Sequence, residues 1–199
     1  YQRSALALLR GDPEASERIA EQALAAAVGV FQARALAAYG VQVLAVRAAQ
    51  GRLPEMAPLI DQVLAEQPGL AAWHAARAWV AASAGDDDRA RQEVDLLALD
   101  DFSSLPRDFT WTASMHSVVM ATALIGDAER AAAAVRALAP SSGRFTWAGT
   151  SSFGPVDQAL AEGCAAAGDR AAADHHAAIA AELSRQVRGP LHLLAAERV

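Results

Sequence analysis

Lysine and asparagine are both absent from this chain of 199 residues, so all 17 of its basic side chains are arginines. Without lysine there is no Schiff-base amine, and no lysine to complete a phosphate-binding P-loop. Without asparagine there is no acceptor for N-linked glycosylation. These two absences exclude Schiff-base enzymes, P-loop nucleotidases and N-glycosylated surfaces as interpretations of the sequence.

Cysteine, positive charge and long apolar runs are also scarce. Cys164 is the one cysteine, which rules out an internal disulfide and favours the reducing cytoplasm. The net charge of −6 argues against nucleic-acid binding, and no uncharged run of 18 apolar residues predicts a membrane span. There is no signal-peptide pattern, and Tyr1 opens within a helical pattern. We therefore expect a cytoplasmic fragment of a longer protein.

Five glycines recur along the chain at spacings of 40, 34, 41 and 42 residues. No strand pattern lies between them, and 52 alanines favour helix throughout. A fixed period of this length is typical of helical repeat arrays. The sequence therefore predicts helical hairpins that turn at Gly11, Gly51, Gly85, Gly126 and Gly168.

The residues that follow each glycine keep a common apolar register. Positions nine and twelve residues after each glycine would share one helical face, and all ten are apolar: Ala20, Ile60, Val94, Val135 and Ala177, then Ala23, Val63, Leu97, Leu138 and Ala180. A single hairpin cannot bury such a stripe, but stacked hairpins can. We predict an all-α fold, a right-handed α-solenoid of antiparallel helical hairpins, as one domain over residues 1–199.

Local signals mark the helix ends and two longer connections. Four of the turning glycines precede aspartate, and we expect Asp12 and the acidic run from Asp86 to Asp88 to cap the helices that follow them. The connection from Asp100 to Pro106 is longer than the other turns. Residues 139–152 form the main interruption, and they combine turn formers with Phe145 and Trp147. Long loops in compact domains tend to be functional.

The spacing of a small residue after the turn resembles tetratricopeptide (TPR) repeats. In that family an alanine at this position lets the second helix pack on the first. Pro68, seventeen residues after Gly51, lies where such a repeat usually ends in proline. The matching pairs here are Gly85 with Ala90, Gly126 with Ala131, and Gly168 with Ala173. The predicted hairpins are therefore TPR-like.

A second resemblance concerns the C-terminal part of large actinobacterial regulators. It rests on Gly143-Arg144, Gly149, Phe153-Gly154-Pro155-Val156, Gly168-Asp169, Ala172-Ala173 and His176. In that family an ATPase module precedes a TPR-like region, and the protein also carries a LuxR-type helix-turn-helix or a nucleotide-cyclase domain. The resemblance implies that this chain is the TPR-like region of such a regulator.

Aromatic and basic residues suggest one binding surface. The set that would line an aromatic pocket on the inner surface of the array is Trp73, Trp79, Trp111 and Trp147, with Phe109, His116 and Arg144. Stacked hairpins place equivalent helix faces side by side, which would bring these residues together. The alternative is that the large aromatics fill gaps in an alanine-rich core. Arg144, in the irregular loop, has the geometry to bind a carboxylate or phosphate with two hydrogen bonds.

The remaining polar clusters predict no catalytic residue, metal ligand or cofactor site. His175 and His176 are adjacent, so on a helix they point about 100° apart and do not chelate together. The serine pairs at 141–142 and 151–152 lack a nucleophile-elbow motif, and we expect Ser152 to cap a helix near Gly154.

The sequence as a whole predicts a non-catalytic module that binds a protein, a peptide or a small effector. The expected partner includes the parent protein's own ATPase module, whose conformation the bound ligand would bias. Two alternatives stay open. One is a self-association scaffold that forms a homodimer and binds no ligand, and the other is an enzyme with a helical fold.

Overall fold

The computed structural model describes residues 2–27, 32–99, 102 and 105–196. Within these residues the chain forms α-helices and two short 3-10 helices, with no β-strand. The helices are α1 (Gln2–Leu9), α2 (Pro13–Ala27), α3 (Gln32–Ala49), α4 (Ala57–Glu66), α5 (Ala71–Ser83), α6 (Asp87–Leu97), α7 (Trp111–Leu124), α8 (Ala128–Leu138), α9 (Val156–Ala166), α10 (Arg170–Gln186) and α11 (Pro190–Ala196). The 3-10 helices are Leu53–Met56 and Ala139–Ser141. The predicted all-α class is confirmed.

Each of the five predicted glycine turns lies between two helices. All five glycines have positive φ, between 68° and 85°, which disfavours residues with a Cβ and explains why glycine recurs there. The aspartate that follows four of them accepts a hydrogen bond from the backbone N–H three residues later, at 2.8 to 3.1 Å. The N-caps predicted at Asp12 and Asp86 are therefore present, and Asp127 and Asp169 cap their helices in the same way.

The apolar register after the glycines is buried at most of its positions. Six of the ten residues are buried, and the other four, Val135, Ala177, Ala23 and Val63, are half-buried. Ile60, Val94 and Leu138 are fully enclosed in the core. This pattern follows from helix packing: α2, α6, α8 and α10 pack on the first helix of their own hairpin, whereas α4 packs on α5 and on the 3-10 helix Leu53–Met56, which also contacts α3.

The first helices of the hairpins build a common surface. Helix α5 packs on α7, and α7 packs on α9, while each also contacts the second helix of its own hairpin. We call the surface formed by α3, α5, α7 and α9 the inner face. The first and last described helices also meet, because α1 contacts α11. At that contact a Cβ on Gly11 would lie 2.6 Å from Cγ of Pro190.

Two expectations about the connections have different outcomes. Helix α9 begins at Val156, two residues after Gly154, but its N-cap residue is Pro155 and Ser152 does not cap it. Instead, the Ser152 hydroxyl accepts a hydrogen bond from the Gly154 N–H at 3.1 Å, inside the loop. The connection from Asp100 to Pro106 lies partly outside the described residues.

None of the described helices is long and apolar enough to cross a bilayer.

Candidate functional site

The segment between the second 3-10 helix and α9, residues 142–155, is an ordered loop that folds back on itself. The Thr146 N–H donates to the Gly154 carbonyl at 2.9 Å, and the Ala148 N–H donates to the Ser151 carbonyl at 3.0 Å. An isolated antiparallel bridge joins Phe145 to Pro155. The loop therefore has the form of a short hairpin, although it contains no regular strand.

Asp157, in the first turn of α9, anchors the base of this loop. Its carboxylate is fully buried. It accepts hydrogen bonds at 2.7 Å from the Ser142 hydroxyl, from the Gly143 N–H and from Nδ1 of His176. Moving an unpaired carboxylate from water into the protein interior costs on the order of several kcal/mol. A buried carboxylate therefore requires hydrogen-bond donors such as these three. Asp157 thus joins the loop, α9 and α10 at one point.

The tip of the loop crosses the inner face. The Trp147 N–H donates to the Thr112 hydroxyl of α7 at 3.1 Å. Farther along, the Thr150 hydroxyl donates to the Ala38 carbonyl of α3 at 3.3 Å. The loop therefore spans from α7 to α3 and covers part of the surface between them.

A cavity of about 560 Å³, which we call cavity A, lies beside the loop tip. Its walls are mostly apolar and include Trp73, Leu105 and Phe109, and its polar residues are Asp108, Thr110, Ser114 and Thr150. The lining comes from α3, the α4–α5 turn, α5, the segment before α7, α7 and the loop. A volume of this size and an apolar lining with few polar groups are typical of small-molecule sites.

A second cavity of about 310 Å³, cavity B, lies on the other side of the loop. It is lined by Ala45, Ala48, Ala49, Gly51, Trp79, His116, Met120, Ser152, Phe153, Gln158, Leu191 and His192. A narrow space of about 80 Å³ extends from cavity A toward cavity B, and Phe153 lines both that space and cavity B. The loop thus divides the inner face into two compartments.

The two histidines of cavity B are both held in their neutral form. Burial, with a smaller contribution from the nearby His192, lowers the pKa of His116 to about 3. Burial likewise lowers the pKa of His192 to about 4. The His116 ring packs edge-on against Trp79, with centroids 5.3 Å apart, and lies 5.5 Å from the Phe153 ring. Each imidazole therefore presents neutral nitrogens at neutral pH.

The structure separates the residues that the sequence placed in one aromatic pocket, including the five candidate binding residues. Trp73 and Phe109 line cavity A, whereas His116 and Trp79 line cavity B. Trp111 is buried, carries the Arg107 guanidinium 4.2 Å above its ring, and is not among the described residues that line either cavity. Trp147 is 44% exposed at the loop tip, and Arg144 is exposed on the loop. The five residues thus occupy different environments.

Of the residues that complete the two compartments, the sequence analysis named Phe109 and missed Gln158 and His192. Phe109 lies over Gly149, where a Cβ would be 2.8 Å from its ring. His192 approaches Gly154 equally closely, since a Cβ there would lie 2.5 Å from Nδ1. Gln158 is one of four polar residues of cavity B, with His116, Ser152 and His192. The two glycines, at positive φ in a loop, were the signal for these close approaches.

Two hairpins carry the same histidine–carboxylate pair in opposite order. His74 lies eleven residues before Gly85, and its Nδ1 is 2.6 Å from Oε2 of Glu93, eight residues after that glycine. In the last hairpin Asp157 lies eleven residues before Gly168, and His176 lies eight after it. The shared offsets from the turning glycine show that these are equivalent positions, where the two helices of a hairpin meet.

The cluster of Ser142, Asp157 and His176 is not arranged for nucleophilic catalysis. In a catalytic triad the histidine lies between the serine and the acid, and accepts the serine proton. Here the Ser142 hydroxyl and His176 Nδ1 both bond to the same oxygen of Asp157. The serine proton therefore points to the carboxylate, and the cluster has a structural geometry.

Burial and side-chain spacing decide two other kinds of candidate site, a reactive thiol and a metal centre. Cys164 is buried in α9, and burial raises the pKa of its thiol, which makes it less reactive. Among the described residues there is no group of three or more His, Cys, Asp or Glu side chains placed to hold a metal ion. No protein-family model, curated protein or solved structure matches this chain, so its function is inferred from these sites.

Proposed function

We propose that this chain is a non-catalytic binding module of a cytoplasmic signalling or transcriptional regulator. In this proposal its TPR-like hairpins stack as a right-handed α-solenoid, and a small, largely apolar effector binds in cavity A. The observation that carries the proposal is the cavity itself, about 560 Å³ in volume and lined mainly by apolar side chains. Cavities of this size enclose most of the surface of a small ligand.

The loop of residues 142–155 favours a small effector over an extended peptide. Its tip lies across the inner face, hydrogen-bonded to Thr112 on one side and to Ala38 on the other. A peptide along this face would have to displace the loop and lose those hydrogen bonds. A small molecule in cavity A would instead contact the loop, through Ala148 and Thr150, and gain surface from it.

The position of cavity A suits a regulatory role. Its lining comes from α3, from α5 and from α7, which belong to three different hairpins, and also from the loop. An effector that touches all of them favours the arrangement in which they are close together. A ligand shifts a conformational equilibrium only by its differential affinity for the two states. In the parent protein, that shift would be passed to the ATPase module.

A protein or peptide partner is the second candidate, and one observation favours it. The mouth of cavity A carries large apolar side chains that remain exposed: Phe109 at 67%, Leu70 at 37% and, next to the lining residue Ala148, Trp147 at 44%. Exposed aromatic residues beside a pocket are typical of recognition surfaces. A segment of the ATPase module, or a second copy of this chain, would cover this rim.

The test compares the wild-type chain with Ala72→Phe, which fills cavity A from the first turn of α5. Ala72 is half-buried and lines the cavity, so the larger ring occupies the space without entering the core. The matched control is Ala178→Phe, at an exposed position of α10. Each protein is incubated separately with the small-molecule and the peptide fractions of a cell extract. Retained compounds are then identified by mass spectrometry after washing and denaturation.

We expect a small molecule that wild type and Ala178→Phe retain and that Ala72→Phe does not. Retention of one defined peptide instead, lost on Trp147→Ala, would support the partner at the rim. If the three proteins retain the same compounds, cavity A is not a binding site and the proposal is wrong. In that case sedimentation over a concentration series tests the alternative of a self-association scaffold, which predicts a reversible dimer.

A further inference from the structure

A narrow extension of cavity A, which we call the side channel, has a volume of about 80 Å³. Six residues line both spaces, so the two are continuous: Val41, Ala72, Trp73, Thr110, Ser114 and Ala148. Leu44, Ala76 and Phe153 line the side channel but not cavity A, and all three are buried. The side channel therefore leads from cavity A into the interior between α3, α5 and α7.

The position of Trp73 explains why this space stays open. Its ring crosses from α5 to α3, where a Cβ on Gly40 would lie 2.9 Å from Cη2 of the indole. The ring thus holds α3 and α5 apart. Ala76, one turn later on α5, and Ala113 on α7 line the gap that results, and their methyl groups are too short to fill it.

The side channel has no hydroxyl hydrogen free for a ligand or for water. Three hydroxyls line it, and each donates a hydrogen bond inside the protein: Ser114 to the Thr110 carbonyl at 3.0 Å, Ser117 to the Ala113 carbonyl at 3.0 Å, and Thr110 to the Asp108 carboxylate at 2.6 Å. A buried water needs two to four polar partners, and apolar cavities stay dry. An apolar group is therefore the occupant that gains most here.

The volume of the side channel selects the shape of that apolar group. An apolar cavity of about 150 Å³ binds one benzene ring. The side channel has roughly half that volume. A ring therefore does not fit, whereas the end of an unbranched alkyl chain is thin enough to enter. Cavity A, at about 560 Å³, has room for the rest of the molecule.

We infer that the effector of cavity A carries an unbranched alkyl chain, whose end lies in the side channel. This inference rests on the proposed function, because it names the class of ligand for the same site. Phe153 closes the inner end of the side channel, since its ring also lines cavity B beyond it. Trp79 packs edge-on against that ring, with centroids 5.6 Å apart. The position of Phe153 therefore limits the length of the chain.

The charge of cavity A decides what the other end of the ligand is. Asp108 is the one charged side chain among the described residues that line cavity A, and it is exposed. Those residues include no arginine or histidine that would offer a counter-charge to an anion. A carboxylate or phosphate head group would therefore lie near a like charge, which is unfavourable. The ligand is a single-chain amphiphile whose head group is not anionic, as in a fatty alcohol.

The experiment compares two alcohols of eight carbons by isothermal titration calorimetry. 1-Octanol has a free chain end, whereas 2-cyclohexylethanol ends in a ring that is too wide for the side channel. Octanoate is the anionic control, and 1-hexanol and 1-decanol test the chain length. The variants are Ala76→Leu, which fills the side channel, and Phe153→Leu, which opens its inner end. Ala178→Leu, at an exposed position of α10, is the matched control. Circular dichroism checks that each variant is folded.

We expect wild type and Ala178→Leu to bind 1-octanol about tenfold more tightly than 2-cyclohexylethanol, and more tightly than octanoate. Each methylene that enters the side channel should strengthen binding about fourfold, so 1-octanol should also exceed 1-hexanol. Ala76→Leu should remove the preference for the open chain and leave the affinity for 2-cyclohexylethanol unchanged. Phe153→Leu should act in the opposite direction and favour 1-decanol over 1-octanol. A general loss of stability does not explain opposite shifts in chain length.

Equal affinity of wild type for 1-octanol and 2-cyclohexylethanol would overturn the inference, because the side channel would then select no chain. The inference is also wrong if Ala76→Leu keeps the wild-type preference, if octanoate binds as tightly as 1-octanol, or if no alcohol binds.

Ala72→Phe, which fills cavity A, separates these failures from a failure of the proposed function. If wild type binds the two alcohols equally and Ala72→Phe binds neither, cavity A is a binding site and only the alkyl chain is wrong. If Ala72→Phe binds both alcohols like wild type, they bind outside cavity A and the inference is wrong. The extract experiment then decides the proposed function by itself.

Discussion

Acidification is expected to destabilise this fold through the two buried histidines, His116 and His192. Their pKa values are lowered to about 3 and about 4 in the folded state, while an unfolded chain titrates near 6.5. Between these limits the unfolded chain binds more protons than the folded chain. Proton uptake therefore favours unfolding, and stability falls as the pH drops below about 6.5. Above about pH 7.5 both states are neutral at these rings and the effect vanishes.

The size of the effect follows from the same pKa values. Between about pH 7.5 and pH 5, each histidine removes about 2 kcal/mol from the free energy of unfolding. The two together remove about 4 kcal/mol, a large part of the roughly 5–15 kcal/mol that stabilises a typical domain. For a chain of this length the thermal midpoint should fall by roughly 8–16 °C. Carboxylates with lowered pKa, such as Glu17 and Asp127, act mainly below about pH 4.5.

Urea denaturation at a series of pH values, followed by circular dichroism, measures this dependence. Near pH 5 the slope should be about 2.6 kcal/mol per pH unit from these two rings. His116→Phe should remove about half of that slope, whereas Ala178→Phe, at an exposed position and without any change in titratable groups, should leave it unchanged. A free energy of unfolding that is flat from pH 7.5 to pH 5.5 would refute the burial of two neutral histidines.

Three further substitutions test the loop and the turns, each by thermal denaturation. Asp157→Ala leaves three donors of a buried cluster without their acceptor, and should cost about 3–5 kcal/mol of stability; a loss below 1 kcal/mol would contradict its anchoring role. Gly149→Ala should cost about 1–3 kcal/mol, because φ is 80° and the new Cβ meets the Phe109 ring at 2.8 Å. Asp127→Ala removes an N-cap and should cost about 1 kcal/mol, whereas Asp88→Ala, at an exposed first-turn position, should change stability little.

The hairpin turns could be predicted from the sequence because their causes are local. A residue at positive φ must usually be glycine, and a free N–H group at a helix start requires an acceptor within three residues. Gly126 and Asp127 satisfy both needs within two adjacent positions, and the structure shows the positive φ and the hydrogen bond to Arg130. The sequence therefore contains the complete signal for such a turn.

The contact between the residues eleven before and eight after the turning glycine could also have been predicted from the sequence, but it was not. These positions carry His74 with Glu93 in one hairpin and Asp157 with His176 in another. Histidine and a carboxylate at the same two offsets, in exchanged order, indicate a contact between the two helices. Comparing the hairpins position by position reveals this pattern without any coordinates.

The candidate site was predicted less well, since it depends on contacts between distant parts of the chain. Trp73 and His116 do line cavities, but different ones, because the loop lies between them. Trp111 packs under Arg107, which is four residues away in sequence but whose position was not anticipated. Gln158 and His192 gave no signal of their own, because single polar residues on a helix are usually exposed.

The sequence by itself determined the helices, the five turns and most of the buried face, because each depends on neighbours within a few residues or one helical period. Only the tertiary structure decided where the loop lies. The Thr150 hydroxyl reaches the Ala38 carbonyl across 112 residues of sequence, and His192 reaches the loop from the last helix. Such contacts depend on how the hairpins stack, which sums many small packing energies that no local pattern encodes. The two cavities follow from that stacking.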